Sequence, residues 1–323
     1  MKRTTVIWLC VAVCLVAAGG AVFCLVMGAN RWNFNLLWDE KMETKTFDAS
    51  GDFQRISIRS DTEKIDFRFS EDGKCRVVCR EREKETHTVS AANGTLSIER
   101  EDTRRWYDRI SVFSFGAPSI TVYLPRTEYA ALAVEESTGD IVIPREFRFG
   151  SVDIRVSTGD VDCRASSLEL LRIRTSTGDI RLEDLSAGEL ELTVSTGHVD
   201  LQSVVCEGNV GIAVSTGRAS LADVTCESLS SSGGTGDIAL RHVAAAQTVS
   251  ITRGTGDVRF EQCDAGELNI ETGTGKVTGS LLSPKVFIVH SDTGRISVPE
   301  TVSGGKCRIT TDTGDIVMEI VEK

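Results

Sequence analysis

The sequence predicts an all-β protein, a single-stranded β-solenoid with coils of 19 or 20 residues, preceded by one N-terminal transmembrane helix. Three observations carry that prediction. The dipeptide Thr-Gly recurs in phase ten times from Thr138-Gly139 to Thr313-Gly314, each 19 or 20 residues after the last. Apolar positions keep the same beat on both sides of each glycine. Residues 5–27 form an uncharged, almost wholly apolar run.

The repeats justify the strands. Seven residues before the glycines stand Leu132, Val152, Leu171, Leu190, Val210, Leu229, Val249, Leu268, Phe287 and Cys307. Five before them the series is again apolar, from Val134 to Ile309, with Ser231 as its one departure. Two residues after come Ile141, Val161, Ile180 and their counterparts, and four after come Ile143, Cys163, Leu182 and theirs. A period of two, rich in β-branched residues, excludes helix and describes half-buried strands meeting at a corner. Units so nearly alike bury their apolar sides most simply by stacking in register, at ~4.8 Å per coil. Each coil has room for two long strands and two corners, the second near Ala187-Gly188, Glu207-Gly208 and Ala265-Gly266. Counting by twos turns the Thr of each Thr-Gly inward, while the glycine supplies the positive φ of the corner.

Ahead of the repeats the chain divides into a cytoplasmic tail (1–4), a transmembrane signal-anchor (5–27), a spacer (28–45) and an irregular β region (46–131) that caps the solenoid (132–321). Twenty-three apolar residues suffice to cross ~30 Å of hydrocarbon. Lys2 and Arg3 precede the run and no acid does, which places the N-terminus inside and the remainder in the extracytoplasmic space. Trp32 and Trp38 follow at interfacial depth; a cleaved signal peptide is the competing reading. Within the β region, Ser60-Asp-Thr62-Glu-Lys-Ile65 reads as a worn copy of the repeat, and Glu101–Arg109, with Trp106 and Tyr107, as a long loop.

Beyond the apolar run the chain holds 34 basic against 47 acidic residues, a net charge of −13. Such a surface is unsuited to nucleic acid and suits metal cations or cationic peptides. Cys206 and Cys226 occupy equivalent places in successive coils, close enough for a disulfide, and equally placed to be small apolar members of a core ladder. Cys75 and Cys79 share one face of a strand; their spacing fits neither a zinc knuckle nor a redox pair, which makes them structural.

Nothing in the sequence converges on catalysis. The four histidines, His87, His198, His242 and His290, show no metal-ligand spacing and flank no nucleophile motif. One outward ladder needs weighing, the residue after each glycine: Asp140, Asp160, Asp179, His198, Arg218, Asp237, Asp257, Lys276, Arg295 and Asp315. Stacked carboxylates at Asp140, Asp160 and Asp179 would repel, and calcium between coils would relieve them. Arg155, Arg172, Arg174 and Arg181 can neutralise them without an ion, and Asp beside Gly is a routine turn residue. The expectation is turn chemistry, with no catalytic residue, cofactor or metal.

The apolar N-terminal run, a β segment ending Val122-Tyr-Leu-Pro125 and repeated Ser/Asp-Thr-Gly-Asp corners (Ser137–Asp140, Ser157–Asp160, Ser176–Asp179, Asp312–Asp315) together resemble the putative-adhesin β-strand-repeat family of bacterial envelope proteins, over roughly residues 46–321. The resemblance implies a membrane-anchored, non-enzymatic adhesin-like interaction scaffold at the cell envelope. Its expected partners are the membrane itself and an envelope or cell-surface protein or a cationic peptide. The alternative is an envelope-stress sensor or regulator acting through a membrane partner. The family supplies no catalytic or binding residues to carry over.

Overall fold

Alternating β-branched and leucine side chains around each corner build the parallel ladders that the period predicts. The computed structural model describes residues 3–29, 42–49, 51–82, 85–102 and 117–321. Among these the chain is a β-solenoid preceded by one helix, α1 (Arg3–Ala29). Val152 and Ile154 stand between Leu132 and Val134 of the coil before and Leu171 and Ile173 of the coil after. Across the corner, Val161 stands between Ile141 and Ile180. All of these side chains are buried. At ~1.5–3 kcal/mol for each fully buried Val, Leu or Ile, the ladders are the main cohesion between coils.

The corner differs from the parity count. Thr158 and Thr177 are exposed, and so is the Ser before each, because the chain begins to turn two residues ahead of the glycine. The inward hydroxyl comes one step earlier, at Thr175, Thr272, Ser291 and Thr311, whose Oγ donates to a corner glycine carbonyl of an adjacent coil. The glycine itself is required twice over. At Gly178 φ is +135° and a Cβ would lie 2.0 Å from the carbonyl oxygen of Gly159.

Each central coil has three inward runs, where the sequence pattern suggested two. Asp184, Ser203, Asp223, His242 and Gln262, one per coil, adopt φ of 50–55°. This left-handed bend resets the alternation, so that Leu185, Val204, Val224, Val243 and Cys263 point inward one residue later than a straight strand would place them. Cys206 and Cys226 lie on this third run as buried free thiols. They continue a ladder through Ala187 and Ala245.

Ser231, the one break in its apolar ladder, has a local cause. The Arg253 side chain is buried and its Nη2 donates to Ser231 Oγ at 2.8 Å. A Cβ on Gly233 would sit 1.7 Å from Arg253 Nη1. Two small residues in one coil therefore make room for an arginine from the next, and burial pushes its pKa down.

The solenoid begins with nine strands: β1 (Met42–Ala49), β2 (Arg55–Arg59), β3 (Lys64–Phe69), β4 (Cys75–Arg82), β5 (Glu85–Ala92), β6 (Thr95–Asp102), β7 (Ser119–Leu124), β8 (Glu128–Thr138) and β9 (Ile141–Ile143). The worn repeat is a true coil: β2 pairs in parallel with β8 and β3 with β9, placing Ile56, Ile58 and Ile65 beside Leu132, Val134 and Ile141. β6 and β7 stack beyond it. Antiparallel strands then cover the end, β5 on β6 and β4 on β7, with β1 outside β4.

The other end is built differently. Strand Gly305–Thr313 pairs with Val258–Thr274 on one side and Lys285–Thr293 on the other. The last repeat is thus inserted between the eighth and the ninth, and the ninth forms the outer edge. There the apolar ladder opens to solvent, with Ile296 42% exposed.

Trp32, Trp38, Trp106 and Tyr107 fall outside the described residues. The expected membrane span 5–27 falls within α1, a backbone helix of 27 residues. Counting only the described residues, no helix is long and apolar enough to cross a membrane.

Candidate functional site

The capped end holds a cluster of buried ionisable groups, and strand parity explains how it forms. Alternation along β4 turns Cys75, Val77, Cys79 and Glu81 inward, and β5 turns Glu85 and His87 inward. The corner between β2 and β3 contributes Glu63, which stands where the Thr-Gly coils carry their glycine. β6 adds Arg100 and β8 adds Glu136. Glu63, Glu81, Glu85, His87 and Glu136 are all buried.

The contacts form one network. Glu81 Oε2 accepts the His87 backbone N–H at 2.8 Å and faces His87 Nδ1 at 2.9 Å. Lys45 Nζ, on edge strand β1, lies 2.6 Å from Glu81 Oε1. His87 Nε2 lies 3.6 Å from Glu63 Oε1, while Glu63 Oε2 accepts the backbone N–H groups of Asp61 and Thr62 at 2.9 and 2.7 Å. Arg100 Nη2 is 2.8 Å from Glu85 Oε2, and its Nη1 pairs with Asp61. Burial opposes the Arg100 charge, yet its pKa is raised, because Asp61, Glu63 and Glu85 outweigh that penalty. Burial, with the charges of Glu81 and Glu63, pushes the Cys79 thiol up to about 12.

Glu136 is raised to about 7, first by burial and then by the charge of Glu63, against hydrogen bonds from Ser60 Oγ and the Thr138 N–H. With the folded pKa above the ordinary 4.5, the folded chain holds this proton more tightly than the unfolded one. The resulting stability is fully present below pH 4.5 and lost as the pH rises through about 7. Glu136→Gln is expected to remove that loss. Denaturant titrations at pH 4.5 and 8 should show the wild type losing up to about 3 kcal/mol relative to the variant; parallel losses would refute the assignment.

The structure also places the outward ladder. Asp140, Asp160 and Asp179 are brought together one coil apart, and each Oδ1 accepts the backbone N–H of the next coil's equivalent residue, at 3.0, 2.9 and 2.8 Å. The bond reaches the neighbouring coil, where turn chemistry suggested its own. Arg181 lies 3.6 Å from Asp160 Oδ2 and 3.0 Å from Asp179 Oδ2. His198 serves the same purpose through Nδ1, which accepts the Arg218 N–H at 3.1 Å.

The cluster at the cap escaped the sequence reading because its members come from several strands and no spacing rule joins them. The legible signal was parity: Cys79 and Glu81 on one face, a two-residue gap after Arg82, then Glu85 and His87 on the same face. Among the described residues, Cys79, Glu81 and His87 are the one group of three that could hold a metal ion, with ligand atoms within 4.8 Å of one another.

The fold recurs in a solved structure. A protein from Parabacteroides merdae ATCC 43184, named putative adhesin, is 15% identical over 76% of this chain and 98% of its own, with a TM-score of 0.50. One of the same name from Parabacteroides distasonis ATCC 8503 is 13% identical over 86% of this chain and 98% of its own, at 0.49. Another, from Bacteroides fragilis NCTC 9343, is 13% identical over 87% and 98%, at 0.45. Identities this low speak to fold alone. No curated protein matches the chain. The Toastrack DUF4097 family model matches it twice, over residues 53–214 and 207–323, and the chain belongs to that family.

Proposed function

We propose that the protein is a membrane-anchored, extracytoplasmic, non-enzymatic β-solenoid that serves as an adhesin-like interaction scaffold at the bacterial cell envelope. The observation that carries this reading is the uniformity of the coils. From Gly139 to Gly294 each repeat has 19 or 20 residues, leaving no long insertion from which a substrate cleft could be built. The coils instead display long faces on which pairs such as the exposed Arg155–Glu135 and the half-buried Arg172–Glu191 and Arg164–Glu183 cross from coil to coil. Flat, solvated faces of this kind suit a macromolecular partner. The name carried by the Parabacteroides merdae protein agrees with the reading.

The anchor in this proposal is α1. What supports it is the uncharged run 5–27, on which Trp8, Val13, Leu15, Val16 and Leu25 expose their apolar side chains. Lys2 and Arg3 set the N-terminus inside. Crosslinking of the full chain in its native membrane, with partners identified by mass spectrometry, tests the whole reading. Cell-surface or wall components are the expected partners. Recovery of a membrane kinase or stress regulator alone would replace the scaffold with a sensor.

A further inference from the structure

We propose that Cys79 Sγ, a Glu81 oxygen and His87 Nδ1 form a site for one divalent transition-metal ion of the zinc class, with Glu63 as the carboxylate that orients His87. Two independent observations point there. The three ligand atoms lie within 4.8 Å of one another in a fully buried setting. Next to them, two buried polar atoms have no hydrogen-bond partner, His87 Nε2 and Glu63 Oε1, and they face each other at 3.6 Å.

Metal binding resolves that second feature. With Nδ1 on the metal the imidazole proton must sit on Nε2, where it points at Glu63 Oε1, and both orphaned atoms gain a partner. A carboxylate behind a ligating imidazole fixes its tautomer and raises its basicity. Thiolate, imidazole and carboxylate together select a borderline-soft ion such as zinc over calcium or magnesium. Ligand bonds of ~2.0–2.3 Å require the three groups to draw in by roughly 1 Å. The fourth position is left for water.

The charges agree. Glu63 faces the cluster from the corner before β3, and Glu81, Glu85 and Glu136 face it from β4, β5 and β8; Arg100 faces it from β6, and Lys45 and Arg82 stand at its rim. Among the described residues, Glu63, Glu81 and Glu85 are carboxylates buried at the site, and a divalent ion adds positive charge beside them. The Lys45 ammonium now beside Glu81 Oε1 is on an edge strand with its side chain 39% exposed, so it can withdraw to solvent as the ion enters. Coordination releases the Cys79 thiol proton to solvent; no oxidant or reductant is needed.

Cobalt(II) titration of the reduced, chelator-stripped full-length chain in detergent tests the site. Expected are a thiolate-to-cobalt absorption band at one equivalent and its loss when zinc is added. Cys79→Ser, with its fold checked by circular dichroism, should lose the band, while Cys307→Ser keeps it. Glu63→Gln should weaken zinc binding by about 10–100-fold. No thiolate band in the wild-type chain overturns the proposal whatever the variants do. A band that survives Cys79→Ser overturns it as well.

Discussion

Gly217→Ala is expected to lower the melting midpoint by roughly 6 °C or more. Gly217 has φ of +141°, and a Cβ there would stand 1.7 Å from the carbonyl oxygen of Gly197. Its own N–H donates to Thr235 O at 2.8 Å, so the corner cannot back away without opening the ladder to the next coil. The clash involves backbone on both sides, where no rotamer change gives relief. Left-handed strain and overpacking together place the cost at about 3 kcal/mol or more, and at ~2–4 °C per kcal/mol that becomes the stated shift. Gly211→Ala is the control. Its φ is unremarkable, its Cβ would meet Leu190 O at 3.7 Å, and a strand glycine replaced by alanine should be neutral to slightly stabilising. Equal melting of the two variants would show that the corner glycines are not what holds coil to coil.

Arg100→Met is expected to cost about 3–5 kcal/mol in denaturant titration. Methionine keeps the aliphatic stem and removes the guanidinium, which leaves Glu63 and Glu85 buried without the cation that lies 3.9 and 2.8 Å from them. The loss arises from charges left behind, so its size reports how dry the cap is. Lys45→Met, at the rim of the same network, should cost less, because Glu81 keeps the His87 backbone N–H and imidazole at 2.8 and 2.9 Å. If Arg100→Met costs no more than ~1 kcal/mol, the network is wetter than its burial indicates.

The coil was legible because its physics is local. Residues at fixed offsets from Gly159 or Gly178 fall on the same ladder in every coil, so one sequence shows the core ten times over. What escaped were departures from simple alternation. The bend at Asp184 or Gln262 carries no glycine, and non-glycine residues with left-handed φ leave little trace in sequence. The inward position of Thr175 in place of Thr177 depends on where the chain starts to turn, which a count by twos cannot register. Ser231 was visible as an anomaly, but its partner Arg253 lies in the following coil and reads as an ordinary surface charge. The ionisable cluster was hidden for a related reason: Glu63, His87 and Arg100 meet only after β4, β5 and β6 fold back on the first coils.

The insertion of the last repeat changes how such an array comes apart. A stacked rod ordinarily frays from its chain ends, because a terminal unit is held on one side only. Here strand Gly305–Thr313 is gripped on both sides, by Val258–Thr274 and Lys285–Thr293. A pull on the C-terminus must shear two ladders at once. The weakest layer is the ninth repeat, tethered to the rod at both of its chain ends, so it can lift away as a closed loop and settle back without the terminus ever coming free.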